Sequence, residues 1–201
     1  MTMTSVAIAY FSGYGHTARF AEAVRDGAAS VSGTAVHLVA VDTVTDEQWQ
    51  LLDAADAIVF GSPTYLGDVA ARFKLFMEQS SGRWKNQLWA DKLAAGFVNS
   101  GAKSGDKLHA LQTLSLYAAQ HSMLWVSLGL LPGWNSSQAS EFDLNRLGVW
   151  LGAAAQSNGD EGPEAAHPSD LATAEHLGRR VAEQAARTAP AAVPASVPAL
   201  V

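Results

Sequence analysis

Between residues 10 and 17 the chain reads Tyr10-Phe-Ser-Gly-Tyr-Gly-His-Thr17, a run in which hydroxyls, glycines and a histidine are spaced to grip an anion. Gly13 and Gly15 let the backbone take positive φ and approach a ligand closely. Ser12 and Thr17 add hydroxyl donors, and each hydrogen bond to a charged group such as a phosphate monoester contributes about 1.5–3 kcal/mol. An apolar run over residues 6–11 precedes this stretch and has the character of a buried strand. Residues 18–28 follow it with the apolar spacing of an amphipathic helix. Strand, glycine-broken turn and helix start together aim backbone N–H groups at one point, where the helix dipole favours negative charge.

Three phosphate loops compete for this segment. A nucleoside-triphosphate loop needs a lysine before its Ser/Thr, and His16 stands before Thr17 instead, so that reading fails. The dinucleotide fingerprint matches loosely as Gly13-x-Gly15-x-x-Ala18, with Asp42 as a ribose-binding acid a little far downstream. The third is a flavin-mononucleotide loop, whose hydroxyls wrap one terminal phosphate. A glycine pair also suits a plain tight turn, so the rest of the chain has to decide.

At 201 residues the chain suits one domain with a sizeable core. An apolar fraction of 48% with 16% charged residues fits a globular protein. The formal net charge of −6 disfavours nucleic acid and anionic membrane surfaces as partners. The absence of cysteine excludes disulfides, thiol catalysis and cysteine-ligated metal centres. No leader-like or membrane-spanning run is expected, and the protein reads as soluble and cytoplasmic. No His/Asp/Glu cluster has metal spacing.

The elements that must position the first loop alternate in type. Strands are expected over residues 34–41, 57–60, 93–98 and 123–127, and helices over 46–53, 69–80, 108–119 and 169–187. Continuously apolar strands alternating with helices argue a parallel sheet covered on both faces. Five such units match an α/β doubly wound fold of strand order 2-1-3-4-5, whose ligand lies beyond the carboxyl ends of strands 1 and 3. The loops after strands 1, 3 and 4 are the three richest in Gly, Ser and Thr. A glycine-rich excursion runs from Gly129 to Pro168. Residues 189–201 carry three prolines in Ala/Val low complexity and read as a flexible tail, outside the folded domain of residues 1–188.

Ser12-Gly-Tyr-Gly-His-Thr17, Gly61-Ser-Pro-Thr-Tyr-Leu-Gly-Asp68 and Asn99-Ser-Gly101, in that order and spacing, resemble the three flavin loops of flavodoxin-like NAD(P)H:quinone oxidoreductases, once described as Trp-repressor-binding proteins. The resemblance covers roughly residues 5–188. It implies FMN as bound cofactor, NADH or NADPH as hydride donor, a quinone as acceptor, and a homodimer or homotetramer. On this chain it puts Ser12, Gly13, Tyr14, Gly15, His16 and Thr17 on the phosphate loop. Pro63, Thr64, Tyr65, Leu66, Gly67 and Asp68 fall beside the ribityl chain and ring, and Ser100 and Gly101 on the third loop. His121 matches a histidine near the ring, which with Tyr65 makes the nearest pair of catalytic candidates. Trp84 matches an aromatic that reaches a neighbouring subunit's flavin.

The chain also departs from that pattern. Tyr65-Leu-Gly-Asp68 stands where the family often has Arg-Phe-Gly-Asn, which removes a guanidinium and adds a carboxylate. The third loop continues Gly101-Ala-Lys-Ser-Gly105 instead of a fuller glycine run. Plainer roles exist for several residues: His16 as a helix-start donor, His121 as a helix-end histidine, and the other tryptophans as core or contact residues. His37 and His109 carry no partner pattern. The rival functions are a flavodoxin-type electron carrier, an NAD(P)H-dependent FMN reductase, and a dinucleotide-binding dehydrogenase.

Overall fold

The structure, a computed structural model, describes residues 3–188. The expected tail lies outside the described residues. Five parallel positions form the sheet, in the order β2 (Thr34–Ala40), β1 (Thr4–Tyr10), β3 (Ala57–Tyr65), β5 (Leu93–Ser100) and β6 (Leu124–Trp125). This is the expected doubly wound order with two additions. A short β4 (Asp68–Val69) folds back antiparallel on the end of β3, and β7 (Ala153–Gln156) extends the outer edge of β5.

The strands form because their apolar runs can be buried on both faces. Side chains alternate between faces with period 2. Along β1, Ala7 and Ala9 enter one core while Val6 and Ile8 enter the other; along β3, Ile58 and Phe60 oppose Ala57 and Val59. The first core is aromatic. Phe73 and Phe76 of α3 (Ala71–Gln79) meet Phe60, Trp89 and Tyr117 there, the last on α5 (Lys107–Gln120). Each phenylalanine fully buried in this way contributes about 1.5–3 kcal/mol. α2 (Asp46–Ala54) closes the side of that layer, opened by a capping box in which Thr45 and Gln48 satisfy each other's backbone N–H groups.

The second core lies under α1 (His16–Ala29) and the long α6 (Pro168–Thr188). These two helices cross on glycine. A Cβ at Gly27 would overlap the Glu175 carbonyl, and one at Gly178 would overlap that of Val24. That close crossing seats the C-terminal half of α1 directly on α6.

Three expectations need correction. The helix expected over 69–80 begins only at Ala71, because Val69 pairs with Thr64 in the β3–β4 hairpin. Between the helix expected over 69–80 and the strand expected over 93–98, where no element was expected, lies a short helix, α4 (Ser81–Lys85), which Arg83 pins by binding Asp53 at 2.9 Å and stacking 4.0 Å over Trp49. The fifth strand is divided between β6, beside the start of β5, and β7, beside its end, with residues 126–152 leaving the sheet between them.

Candidate functional site

The carboxyl ends of β1, β3 and β5 meet where the sheet order reverses, and a cleft of about 380 Å³ opens between the loops that follow them. Ser12, Gly13, Tyr14, His16 and Thr17 line it from the first loop. Pro63, Thr64 and Tyr65 line it from the second, and Asn99, Ser100 and Gly101 from the third. Ser157 and Gly159, just past β7, complete the wall. Among the described residues the lining holds no carboxylate and no lysine or arginine. An anion there meets hydroxyls and amides without a repelling charge.

The first loop is shaped by its own chemistry. Gly15 is the N-cap of α1 at φ +90, a conformation that costs glycine little, and it supplies no capping side chain to the helix amides. The Ser12 hydroxyl oxygen accepts from the Ala18 N–H at 3.1 Å, which leaves its hydrogen free to donate outward. His16 donates from Nε2 to the Glu161 carbonyl at 2.8 Å, and Pro163 packs on Gly15. The segment after β7 is thereby folded over the first loop. His16 is a tether as well as a lining residue.

The second loop is a two-residue hairpin. Leu66 at φ +49 and Gly67 at φ +90 are both left-handed, as a type I′ turn requires, while Thr64 pairs with Val69 and Tyr65 with Asp68. Leu66 is fully exposed at the tip. His109, for which the sequence offered no partner, holds the tip by binding the Gly67 carbonyl at 2.8 Å through Nδ1. The Asp68 carboxylate accepts from the Val69 N–H at 2.7 Å, so the charge added at this position is spent on the hairpin. Within the chain, Leu66, Gly67 and Asp68 stand beside the cleft without lining it. Burial and the neighbouring Tyr14 push the Tyr65 phenol up, so it is a proton donor at neutral pH.

Thr64 gives the clearest test of what the cleft holds. Its Oγ1 is buried and, among the described residues, has no hydrogen-bond partner. Such a group is costly unless something binds it. An orphaned hydroxyl, a helix start whose N-cap glycine brings no side chain to the first amides, and a carboxylate-free lining fit a phosphate monoester carrying a polyhydroxyl chain. Asp42 does not line the cleft, so the acid needed for the dinucleotide reading is not in place.

His121 and Trp84 are not brought to this cleft. They line a separate cavity of about 280 Å³ with Lys74, Met77, Ser80 and Tyr117. His121, at the C-cap of α5, is 1% exposed and stacks on Trp89 at 4.5 Å. Ser80 Oγ donates to the Met77 carbonyl at 2.7 Å and accepts from the Tyr117 hydroxyl at 2.7 Å, so His121 Nε2–H must be the donor in its 3.1 Å contact with Ser80. His121 Nδ1 is then a buried acceptor without a partner among the described residues. Burial lowers this imidazole to about 4. It is neutral at physiological pH and gains nothing from the helix dipole. Trp84, above it, is half exposed.

Ser157 and Gly159 were missed by the sequence reading, and Asn99 entered it only as the first residue of the third-loop motif. Ser157 donates to Asn99 Oδ1 at 3.1 Å, and its N–H to the Ser100 carbonyl at 3.2 Å. The signal was the polar run Ser157-Asn-Gly-Asp160, which becomes a loop at a strand end only once β7 is recognised.

Residues 9–131 match the family of NADPH-dependent FMN reductases. The chain is 41% identical to "Flavodoxin FldP" of Pseudomonas aeruginosa, over 90% of this chain and 96% of that one. It is 32% identical to "Quinone-oxidoreductase QR2" of Triphysaria versicolor, over 84% and 87% of the two chains. Among solved structures, a flavodoxin, WrbA-like protein from Agrobacterium tumefaciens superposes with a TM-score of 0.72 at 39% identity, covering 92% of this chain and 98% of that one.

Proposed function

We propose that this chain, which belongs to the NADPH-dependent FMN reductase family, is an FMN-dependent oxidoreductase that takes a hydride from NADH or NADPH and passes two electrons to a quinone. The observation that carries the reading is the convergence of three hydroxyl- and glycine-rich loops on one carboxylate-free cleft at the switch point of the sheet. FMN supplies the hydride-accepting ring when bound, and the protein supplies binding, orientation and electrostatics.

Ser12, Thr17 and the backbone from Gly13 to His16 hold the phosphate at the start of α1. Tyr14, 80% exposed, covers the opening. Pro63, Thr64 and Tyr65 run beside the ribityl chain and ring, with the tip residues Leu66, Gly67 and Asp68 next to them. Ser100 and Gly101 form the third wall. Tyr65, kept protonated, donates a hydrogen bond to the oxygen of the acceptor.

Trp84, half exposed and away from this chain's own cleft, would reach a flavin only on another copy of the chain, so we read the working protein as a homodimer or homotetramer, in the cytoplasm; His121 is too deeply buried to touch a flavin on either copy. Trp84, Leu75 and Leu88 support this, since all three are large apolar side chains left about half exposed around α3 and α4. Among the described residues no helix is long and apolar enough to cross a membrane.

Replacing Ser12 and Thr17 together with Ala tests the phosphate assignment. FMN affinity should fall at least 100-fold, on the basis of about 1.5–3 kcal/mol per charged hydrogen bond, with riboflavin affinity little changed. Equal loss for both ligands would remove the phosphate from this loop.

A second reading is favoured by the 41% relative named a flavodoxin: a one-electron carrier, reduced by a partner protein and not by NADPH. Direct, sustained NADPH oxidation in the presence of a quinone separates the two readings. Retention of FMN through gel filtration separates both from a reductase that treats FMN as a substrate.

A further inference from the structure

Lys107 opens α5 and is 1% exposed, an unusual place for an ammonium group. Nothing in the oxidoreduction described above uses it. Its three N–H bonds all go to one short segment: to Ser100 Oγ at 2.6 Å, to the Lys103 carbonyl at 3.1 Å, and to the Ala102 carbonyl. Ser100 passes its own hydroxyl hydrogen on to the Ala102 carbonyl at 3.1 Å. Gly105, at φ +53, lies so close to Ser100 that a Cβ there would collide with the hydroxyl. Residues 100–105 therefore wrap around the ammonium, which stands where a backbone-lined loop would otherwise be hollow.

The nearest ionic groups are already occupied with each other. Arg146 and Asp170 form a buried bidentate pair, both bonds 2.8 Å, and Asp170 also accepts from the Gln156 N–H at 2.9 Å. Among the described residues the ammonium thus has no carboxylate of its own. Its burial is costly, and burial pushes the amine down to about 8. A fold that needed only to fill this space would be served better by an apolar side chain. What the charge provides is a set of donors for loop carbonyls that face inward. From the other side the same loop is held by Gln156 Nε2, which donates to the Gly101 carbonyl at 3.0 Å. Ser100 and Gly101, the residues caught between these two attachments, are the ones that line the cleft.

We propose that Lys107 is a positioning residue for the cleft: its ammonium sets the 100–105 loop in the shape that makes Ser100 and Gly101 the third wall of the cofactor site. The proposal rests on the FMN reading of that cleft for its functional consequence, and on the loop geometry alone for the clamp.

The test is Lys107→Met, which keeps the length of the side chain and removes the donors. Thermal unfolding, hydrogen exchange over residues 100–105 in FMN-free protein, and FMN titration are measured together. The melting temperature should change little, because the cost of burying the ammonium is removed together with its three hydrogen bonds. Exchange over 100–105 should speed up at least tenfold and the FMN Kd should rise about tenfold, a fold-change equal to one charge-assisted hydrogen bond. A purely structural lysine would instead lower the melting temperature and move exchange throughout the domain, and that pattern overturns the proposal, as does unchanged exchange at 100–105. Should Lys107→Met not fold, Ser100→Ala removes one of the three loop contacts and should raise exchange in the same segment alone; no change there overturns the clamp. If FMN-free wild type and variant differ in exchange but neither binds FMN, the clamp stands and the cofactor reading falls.

Discussion

The Tyr65 hydroxyl lies 2.5 Å from the point where a Cβ on residue 13 would stand, so the first loop has a glycine where the second loop's tyrosine needs room. The ring carbon behind that oxygen would be 3.6 Å from the same point, an ordinary contact. The two loops are thus fitted to each other across the cleft by a single oxygen atom.

Gly13→Ala should therefore displace the Tyr65 side chain at a cost of about 0.5–1.5 kcal/mol, the range for forcing a side chain off its rotamer. FMN binding should weaken by roughly two- to tenfold, with thermal stability little changed because Tyr65 is partly exposed. Adding Tyr65→Phe should restore the affinity lost by Gly13→Ala, since only the oxygen collides. Additive losses in the double variant would show that the two residues are not coupled.

His121 should give the acid limb of the stability curve. Its folded value is lowered to about 4 against an ordinary 6.5, because its burial penalises the charged form. Between those values the unfolded chain takes up the proton and the folded chain does not. The stabilisation is fully present above pH 6.5 and is lost as pH falls toward 4, with a slope reaching at most about 1.36 kcal/mol per pH unit. Urea unfolding from pH 7 to 4.5 should fall more steeply for wild type than for His121→Gln. Parallel curves would mean that the imidazole is solvated or protonated in the folded protein.

Trp84→Ala tests assembly. The indole is half exposed and α4 is held independently by Arg83 on Asp53 and Trp49, so the fold should survive its loss. An indole removed from a packed interface costs about 2 kcal/mol or more. Sedimentation should show smaller species, and the quinone KM should rise. Wild-type mass with wild-type kinetics would leave Trp84 as an ordinary surface residue and confine the site to one chain.

The first and second loops were legible because their chemistry is local: glycine, serine and threonine at strand ends mean turns with donors whatever the surroundings. The sheet order was legible because runs such as those of β1 and β3 are apolar on both faces. β7 was not, since Ala153-Ala-Ala-Gln156 is too short and too bland to signal a strand, and Ser157 and Gly159 were lost with it. The type of His121 was readable but its burial was not, because Trp89, whose ring stacks on it and closes it off together with Tyr117 of the same helix, comes from another part of the chain. Lys107 was hidden for the opposite reason: a lysine at a helix start reads as solvated, and only the folded loop shows its three partners.

The most direct test of the whole account is the visible absorption spectrum of the purified, FMN-loaded protein, recorded before and after NADPH and then a benzoquinone. An FMN-dependent NAD(P)H:quinone oxidoreductase predicts a flavin band that stays with the protein through gel filtration, disappears on adding NADPH without any second protein, and returns on adding the quinone. A band that NADPH leaves untouched while a separate reductase removes it would contradict the enzyme and favour the carrier. A protein that retains no flavin at all would contradict the cleft.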